Sequence, residues 1–186
     1  MDTVDPVLAL LMRLWLAGIL FEAAWHKLRD RRGFRVTLDA YRVLPRWLVA
    51  PLVIAFPVLE LFVAFLLLPI PQLASLAQPA AAAAALIFVA YGLAMAINLR
   101  RGRRRLDCGC GVAGTRQEIS PGLVVRNLAL AGCAVFAVLP AGARTWTPVD
   151  MFTLAAGTAA LLGLWRAGTI LLAEAPRLRA LAEESS

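Results

Sequence analysis

The chain has 186 residues, 61% hydrophobic and 17% charged, with a mean hydropathy of +0.74 and a formal net charge of +7. Soluble domains lie nearer about 45–50% apolar and roughly 25% charged, so a soluble enzyme, a DNA-binding domain and a secreted disulfide scaffold are all excluded. Five apolar stretches, each long enough at ~1.5 Å per residue to cross a ~30 Å hydrocarbon core, predict an all-α, polytopic transmembrane helix bundle in a single domain.

The first stretch is Val7–Leu28. Its leader carries Asp2 and Asp5 and lacks the basic segment of a secretory signal, so it reads as a first span rather than a cleaved peptide. The loop that follows places Phe34, Leu38, Tyr41 and Leu44–Pro45 at helical spacing between charged residues. That pattern predicts an amphipathic segment over 34–45 lying on the membrane surface. Pro45 and Pro51 then close it and open the second span, Leu48–Pro69. The third span, Pro79–Asn98, contains the alanine run 80–85, whose small side chains predict a close packing face. A cysteine-bearing loop, 99–121, precedes the fourth span, Gly122–Pro140, for which Ser120-Pro121 is a good N-cap and first-turn pair. The fifth span is Val149–Leu171.

Positive charge is distributed unevenly among the loops. Lys27, Arg29, Arg31, Arg32, Arg35, Arg42 and Arg46 flank or fill the first, and Arg100, Arg101, Arg103, Arg104, Arg105 and Arg116 the third. The second loop has no Lys or Arg, the fourth has Arg144 alone, and Arg177 and Arg179 lie on the tail. The positive-inside rule then places loops one and three and the C-terminus in the cytoplasm, with the N-terminus outside. Beside spanning helices, such basic patches face anionic headgroups of the lipid bilayer, and no nucleic acid is expected.

The sharpest local feature is Asp107-Cys108-Gly109-Cys110-Gly111. Two cysteines separated by one residue can close only a small, strained and therefore oxidising disulfide ring, and nearby arginines favour the reactive thiolate. A dithiol/disulfide pair, a metal-binding pair and two incidental loop cysteines all fit this pattern. A four-ligand zinc site is not expected, because the chain has one His and one further Cys, Cys133, midway along span four. Cys133 reads as a small core hydrophobe.

Ionisable residues inside spans are costly unless paired. Glu60 lies roughly 13 Å and Arg13 roughly 9 Å from the same face at ~1.5 Å per residue, which predicts an Arg13–Glu60 ion pair or a proton- or quinone-handling role for Glu60. Glu22, His26 and Lys27 close span one below the Cys loop, level with Arg126 and Asn127 on span four. Two readings stay open: Lys27 snorkels while Glu22 pairs with Arg126, or the cluster handles protons or polarises a quinone carbonyl.

The run Trp25-His26-Lys27-Leu28-Arg29-Asp30, then Phe34, Tyr41-Arg42-Val43-Leu44-Pro45 and Pro57-Val58-Leu59-Glu60-Leu61, resembles the MauE family within the wider MauE/DoxX group. Cys108-Gly109-Cys110-Gly111, Ile119 and Val125-Arg126-Asn127-Leu128 fit its second half, so the resemblance spans roughly residues 7–140. Gly111 stands where the family usually has an aromatic residue. The layout is also similar to the four-helix core of vitamin K epoxide reductase.

The resemblance implies a four-helix core plus a fifth C-terminal span, in a bacterial inner-membrane protein with thiol–disulfide oxidoreductase activity. MauE is tied to maturation of methylamine dehydrogenase beside a thioredoxin-like partner, MauD, and DoxX relatives are tied to quinone. By that analogy Cys108 and Cys110 cycle, Arg126 and Lys27 tune the thiolate, and Glu22, His26 or Glu60 manage protons near a quinone. A role in oxidising periplasmic substrates would want the Cys loop outside, whereas the charge count puts it inside. Two rival readings are a non-catalytic anchor or assembly subunit of a larger respiratory or dehydrogenase complex, and a small-molecule carrier using Glu60.

Overall fold

The computed structural model describes residues 4–108 and 117–184, with side chains described as far as residue 174. Helix α1 (Pro6–Arg29) leads into α2 (Arg31–Tyr41) and then α3 (Arg46–Leu66). A 3-10 turn at Pro71–Leu76 runs directly into α4 (Ala77–Arg100), followed by α5 (Pro121–Val138) and α6 (Pro148–Glu184). All of these but α2 are long and apolar enough to cross a membrane, the 3-10 turn counting with α4. The protein is an all-α, multi-pass membrane helix bundle.

Helices α1, α3, α4 and α5 enclose one core. The closest pairing is α4 on α5, where Ala80, Ala81, Ala84 and Ala85 meet Leu130, Ala131, Ala134 and Ala137. In lipid there is no hydrophobic drive to pair apolar helices, so small residues that let backbones approach decide the partners. Helix α3 carries Pro51 and Pro57, each lacking an amide proton. Neighbouring helices make such interruptions tolerable in a spanning helix.

Helix α6 lies outside this core, packed chiefly on α1. The contact is made at two glycines: a Cβ on Gly18 would stand 2.8 Å from Leu162 Cδ2, and one on Gly157 3.1 Å from Leu11 Cδ1. The tip of Leu162 can rotate away from a methyl group, so Gly18→Ala should be tolerated. Gly18→Leu should overpack the contact and cost about 1–3 kcal/mol, read as a lower unfolding temperature in detergent. An unchanged temperature for Gly18→Leu would show that α6 is not held at this crossing.

The two ends of the bundle differ in charge. At the N-terminal end, residues 4 and 140–142 form a short parallel clasp, with Val4 N–H donating to Pro140 O at 3.0 Å and Gly142 N–H to Val4 O at 3.0 Å. Arg144 then bridges Asp5 and Asp150 at 3.0 Å each, so the lone basic loop residue at this end is neutralised twice over. Partial desolvation raises the Asp5 carboxyl, but the Val7 and Leu8 amides and Arg144 outweigh it and hold it below the usual carboxylate value.

The opposite end carries the arginines. Asp30 accepts from Gly33 N–H at 2.8 Å, so α2 starts at Arg31, ahead of the predicted segment 34–45. It buries Phe34 and Tyr41 and leaves Arg31, Arg32 and Arg35 exposed. It stops at Tyr41 because Arg42 turns left-handed (φ 49°), a conformation that costs energy for any residue but glycine. Arg101 and Arg103, just past α4, donate to the Arg42 and Tyr41 carbonyls at 3.2 and 3.4 Å and hold that turn. Ser120 occupies the N-cap of α5 but its hydroxyl makes no capping bond, while Pro121 takes the first turn as expected.

Candidate functional site

Below the arginine-rich end, three side chains meet in the bundle interior. Lys27 from α1 donates to Glu60 Oε1 of α3, and Tyr91 of α4 donates to the same oxygen at 2.7 Å. Lys27 Nζ also reaches Tyr91 Oη at 3.1 Å, and lies 4.7 Å from the Tyr91 ring centroid and 5.6 Å from that of Phe34. Glu60 is 0% and Lys27 3% exposed. The pair is therefore fully removed from solvent.

The predicted Arg13–Glu60 pair is absent, and Lys27 is buried rather than snorkelling. The reason is the direction in which helical side chains lean. A helical side chain points back toward its own N-terminus. In antiparallel α1 and α3, Lys27 therefore leans inward from the basic end while Glu60 leans toward that end, so they converge. Arg13 leans the other way, and its Nε and Nη2 donate to Ala137 O at 3.3 and 3.1 Å. There it satisfies an orphan carbonyl at the C-terminal turn of α5, where a cation is also favoured by the helix dipole.

A second group surrounds Arg126 on α5. Its guanidinium stacks 4.6 Å from the Trp165 ring, and Nη1 lies 3.5 Å from Thr169 Oγ1 on α6. Nη2 lies 4.0 Å from Cys108 Sγ. Cys108 is 7% exposed and packs with Tyr41, Met95, Ile119 and Leu123. The two ends of the Cys loop are clasped over it: Cys108 N–H donates to Gln117 O at 2.8 Å and Ile119 N–H to Leu106 O at 2.9 Å. Gln117, itself buried, donates from Nε2 to Thr169 O at 3.4 Å. This places a sulfur near a positive charge, which favours the thiolate, while its burial among apolar side chains opposes ionisation. Cys110 lies outside the described residues, as do Gly109, Gly111 and Arg116.

Glu22 does not pair with Arg126. It binds Arg166 of α6 at 3.0 Å and faces His26 at 3.7 Å, one turn on. Glu22, Glu60, Tyr91, Arg126, Arg166 and Thr169 all line one crevice between α1, α3, α4, α5 and α6. Its volume of about 30 Å³ gives room for about two waters. A quinone ring is far larger, so the crevice as packed does not admit one. Cys133 is half-buried against the core helices, in a different packing cluster from Cys108. Among the described residues no cluster of three or more His, Cys, Asp or Glu could hold a metal ion.

Tyr91, Gln117, Trp165, Arg166 and Thr169 were not singled out by sequence reasoning. Arg166 carried a usable signal, because it is an ionisable residue inside a span and obeys the rule that flagged Glu60. Tyr91 carried a weaker one, a phenol in an apolar helix whose hydroxyl needs a partner. Thr169 is indistinguishable in sequence from a threonine bonding its own helix, which it also does, at 2.9 Å to Trp165 O.

Fold and site together define a polytopic helical membrane protein in which Cys108, at one end of the cysteine-bearing loop, lies beside buried, charged side chains. A family model described as "Methylamine utilisation protein MauE" matches residues 5–140. The Methylamine utilization protein MauE of Paracoccus denitrificans is 36% identical over 161 residues, covering 86% of this chain and 84% of that protein. Those of Methylophilus methylotrophus and Methylorubrum extorquens are 40% and 38% identical, over 71% and 73% of this chain and 68% and 72% of their own lengths. No solved structure matches. The chain belongs to the MauE family of methylamine utilisation proteins.

Proposed function

We propose that this MauE-family protein is a thiol–disulfide protein of the bacterial inner membrane, in which Cys108 and Cys110 cycle between dithiol and disulfide. The observation that carries this reading is Cys108 Sγ held 4.0 Å from the Arg126 guanidinium under a clasped loop. A positive charge beside a sulfur stabilises the thiolate, the form that attacks a disulfide. The partner is a thioredoxin-like protein: its dithiol gives two electrons and two protons to the Cys108–Cys110 disulfide, or its disulfide takes them. The product served is a dehydrogenase of the methylamine-utilisation type. The quinone implied by the wider group does not fit the crevice as packed, and no step is routed through it.

The orientation follows from charge. Arginines gather at the end that holds the Cys loop, while Arg144 at the other end is neutralised by two carboxylates. That asymmetry favours an N-terminus outside and a cytoplasmic Cys loop and C-terminus.

The test is a mass-shift assay on the purified protein, denatured and labelled with a large maleimide. After treatment with glutathione disulfide only Cys133 should react, and after dithiothreitol all three cysteines should react. If all three react under both conditions, no Cys108–Cys110 bond forms and the reading fails.

A further inference from the structure

Helix α4 ends in a turn that holds arginine side chains in place. Gly102 is left-handed (φ 71°), a conformation open to glycine because it has no Cβ. Its N–H donates to Leu99 O, and that of Arg103 to Asn98 O, each at 3.0 Å. These two bonds close the last turn and satisfy carbonyls that a helix end otherwise leaves open. The chain leaves the helix through Arg103-Arg104-Arg105.

Two guanidinium groups at this turn are anchored. Arg103 Nη1 donates to Asn98 Oδ1 at 3.0 Å and to Tyr41 O at 3.4 Å. Asn98 is 0% exposed and is itself held by donating from Nδ2 to Ala94 O at 3.0 Å. Arg101 Nη1 donates to Arg42 O at 3.2 Å. A guanidinium has several N–H donors, so each of these keeps some for a further acceptor. Arg104 and Arg105 beside them are exposed. Among the described residues, the salt bridges involve none of these four arginines. Gly102, Arg103, Arg104, Arg105 and Leu106 line an open recess of about 320 Å³, far larger than the interior crevice.

We propose that this recess binds the phosphodiester headgroup of one anionic phospholipid. Guanidinium groups take phosphate oxygens through paired, charge-assisted hydrogen bonds, and anchoring them beforehand lowers the entropy lost on binding. The place in the fold selects a lipid over free phosphate. The recess follows directly on a spanning helix, at the end of the bundle where Trp25 and Trp47 are exposed. Exposed tryptophans at the end of a span mark the level of the headgroups, where a basic pocket meets anionic lipid. The α4 dipole opposes an anion here, but it amounts to only about half a charge against the arginines of the recess. Charge alone draws anionic lipid to the whole arginine-rich end. Asn98 and the Tyr41 and Arg42 carbonyls add fixed geometry at one point on it. The inference does not depend on the thiol–disulfide reading.

Native mass spectrometry of the full-length protein in detergent, titrated separately with phosphatidylglycerol and phosphatidylcholine, tests this. One phosphatidylglycerol should bind more tightly than later ones and more tightly than any phosphatidylcholine. Arg104→Gln and Arg105→Gln should each weaken that first binding about fivefold, the factor a basic residue near the headgroups contributes. Arg103→Gln, which removes an anchored guanidinium, should weaken it about tenfold or more. Arg104 and Arg105 are exposed, so their variants keep the test open if Arg103→Gln does not fold. The Arg31→Gln, Arg32→Gln variant on α2 removes as much charge from the same end and should change the first binding by less than about twofold, because exposed charges further off are screened. An equal loss in the α2 variant would show diffuse attraction without a site and overturn the proposal. Equal binding of phosphatidylcholine would overturn it as well. Displacement of the first phosphatidylglycerol by inorganic phosphate at the lipid's own concentration would give the recess to free phosphate and overturn the lipid assignment.

Discussion

Replacing Lys27 by Met should destabilise the protein by about 3–5 kcal/mol, the cost of leaving one partner of a buried ion pair uncompensated. Glu60→Gln leaves the Lys27 ammonium without its carboxylate and should cost a similar amount. The double variant should recover most of the loss, because a buried pair replaced as a unit by groups of similar volume is often close to neutral. The asymmetry follows from burial: the pair is removed from solvent, and among the described residues neither charge has another ion-pair partner. Thermal unfolding in detergent, read for both single variants and the double, gives the coupling energy directly. Additive losses would show that Lys27 and Glu60 act on stability independently, against the geometry of the site.

The second large effect concerns the cysteines. In a methylamine-utilising host whose own MauE protein has been deleted, the wild-type chain should restore growth on methylamine, and the Cys108→Ser, Cys110→Ser double variant should not. Cys133→Ser should restore growth, since that thiol packs in the core and lies away from the loop. Arg126→Lys keeps a positive charge but loses the planar stack on Trp165 and the fork toward Thr169 and Cys108, so it should support slower growth than wild type. Full growth with the double cysteine variant would leave the protein as an assembly subunit with idle cysteines.

What the sequence disclosed about this protein depended on whether a signal was periodic or three-dimensional. Hydropathy located the five spans because each needs about 20 apolar residues whatever its neighbours are, and the alanine run marked the face that α4 turns to α5. The short helix α2 was legible from its spacing, but its boundaries were not. They are set by the Asp30 cap and by Arg101 and Arg103 reaching across from another part of the chain. The same limit applies to the buried charges. Glu60 was visible as an intramembrane carboxylate, yet ranking partners by depth along the helix chose Arg13 over Lys27. Depth ignores the lean of side chains toward their own N-terminus, and in an antiparallel pair that lean decides which residues meet. Arg126 and Cys108 were each marked by residue type, whereas their contact through Thr169, Trp165 and Gln117 depends on how α6 docks.

The measurement that tests the central claim most directly is labelling of Cys108 and Cys110 by a membrane-impermeant maleimide, in spheroplasts and in opened membranes, with and without prior reduction. A cytoplasmic dithiol/disulfide pair should stay unlabelled in intact spheroplasts under both conditions; in opened membranes it should react after reduction and should not react after oxidation by glutathione disulfide. Labelling in intact spheroplasts after reduction would put the Cys loop outside and overturn the orientation read from the arginines. Labelling in opened membranes without any reductant, after oxidation by glutathione disulfide, would show that the pair does not close and would contradict the thiol–disulfide account itself.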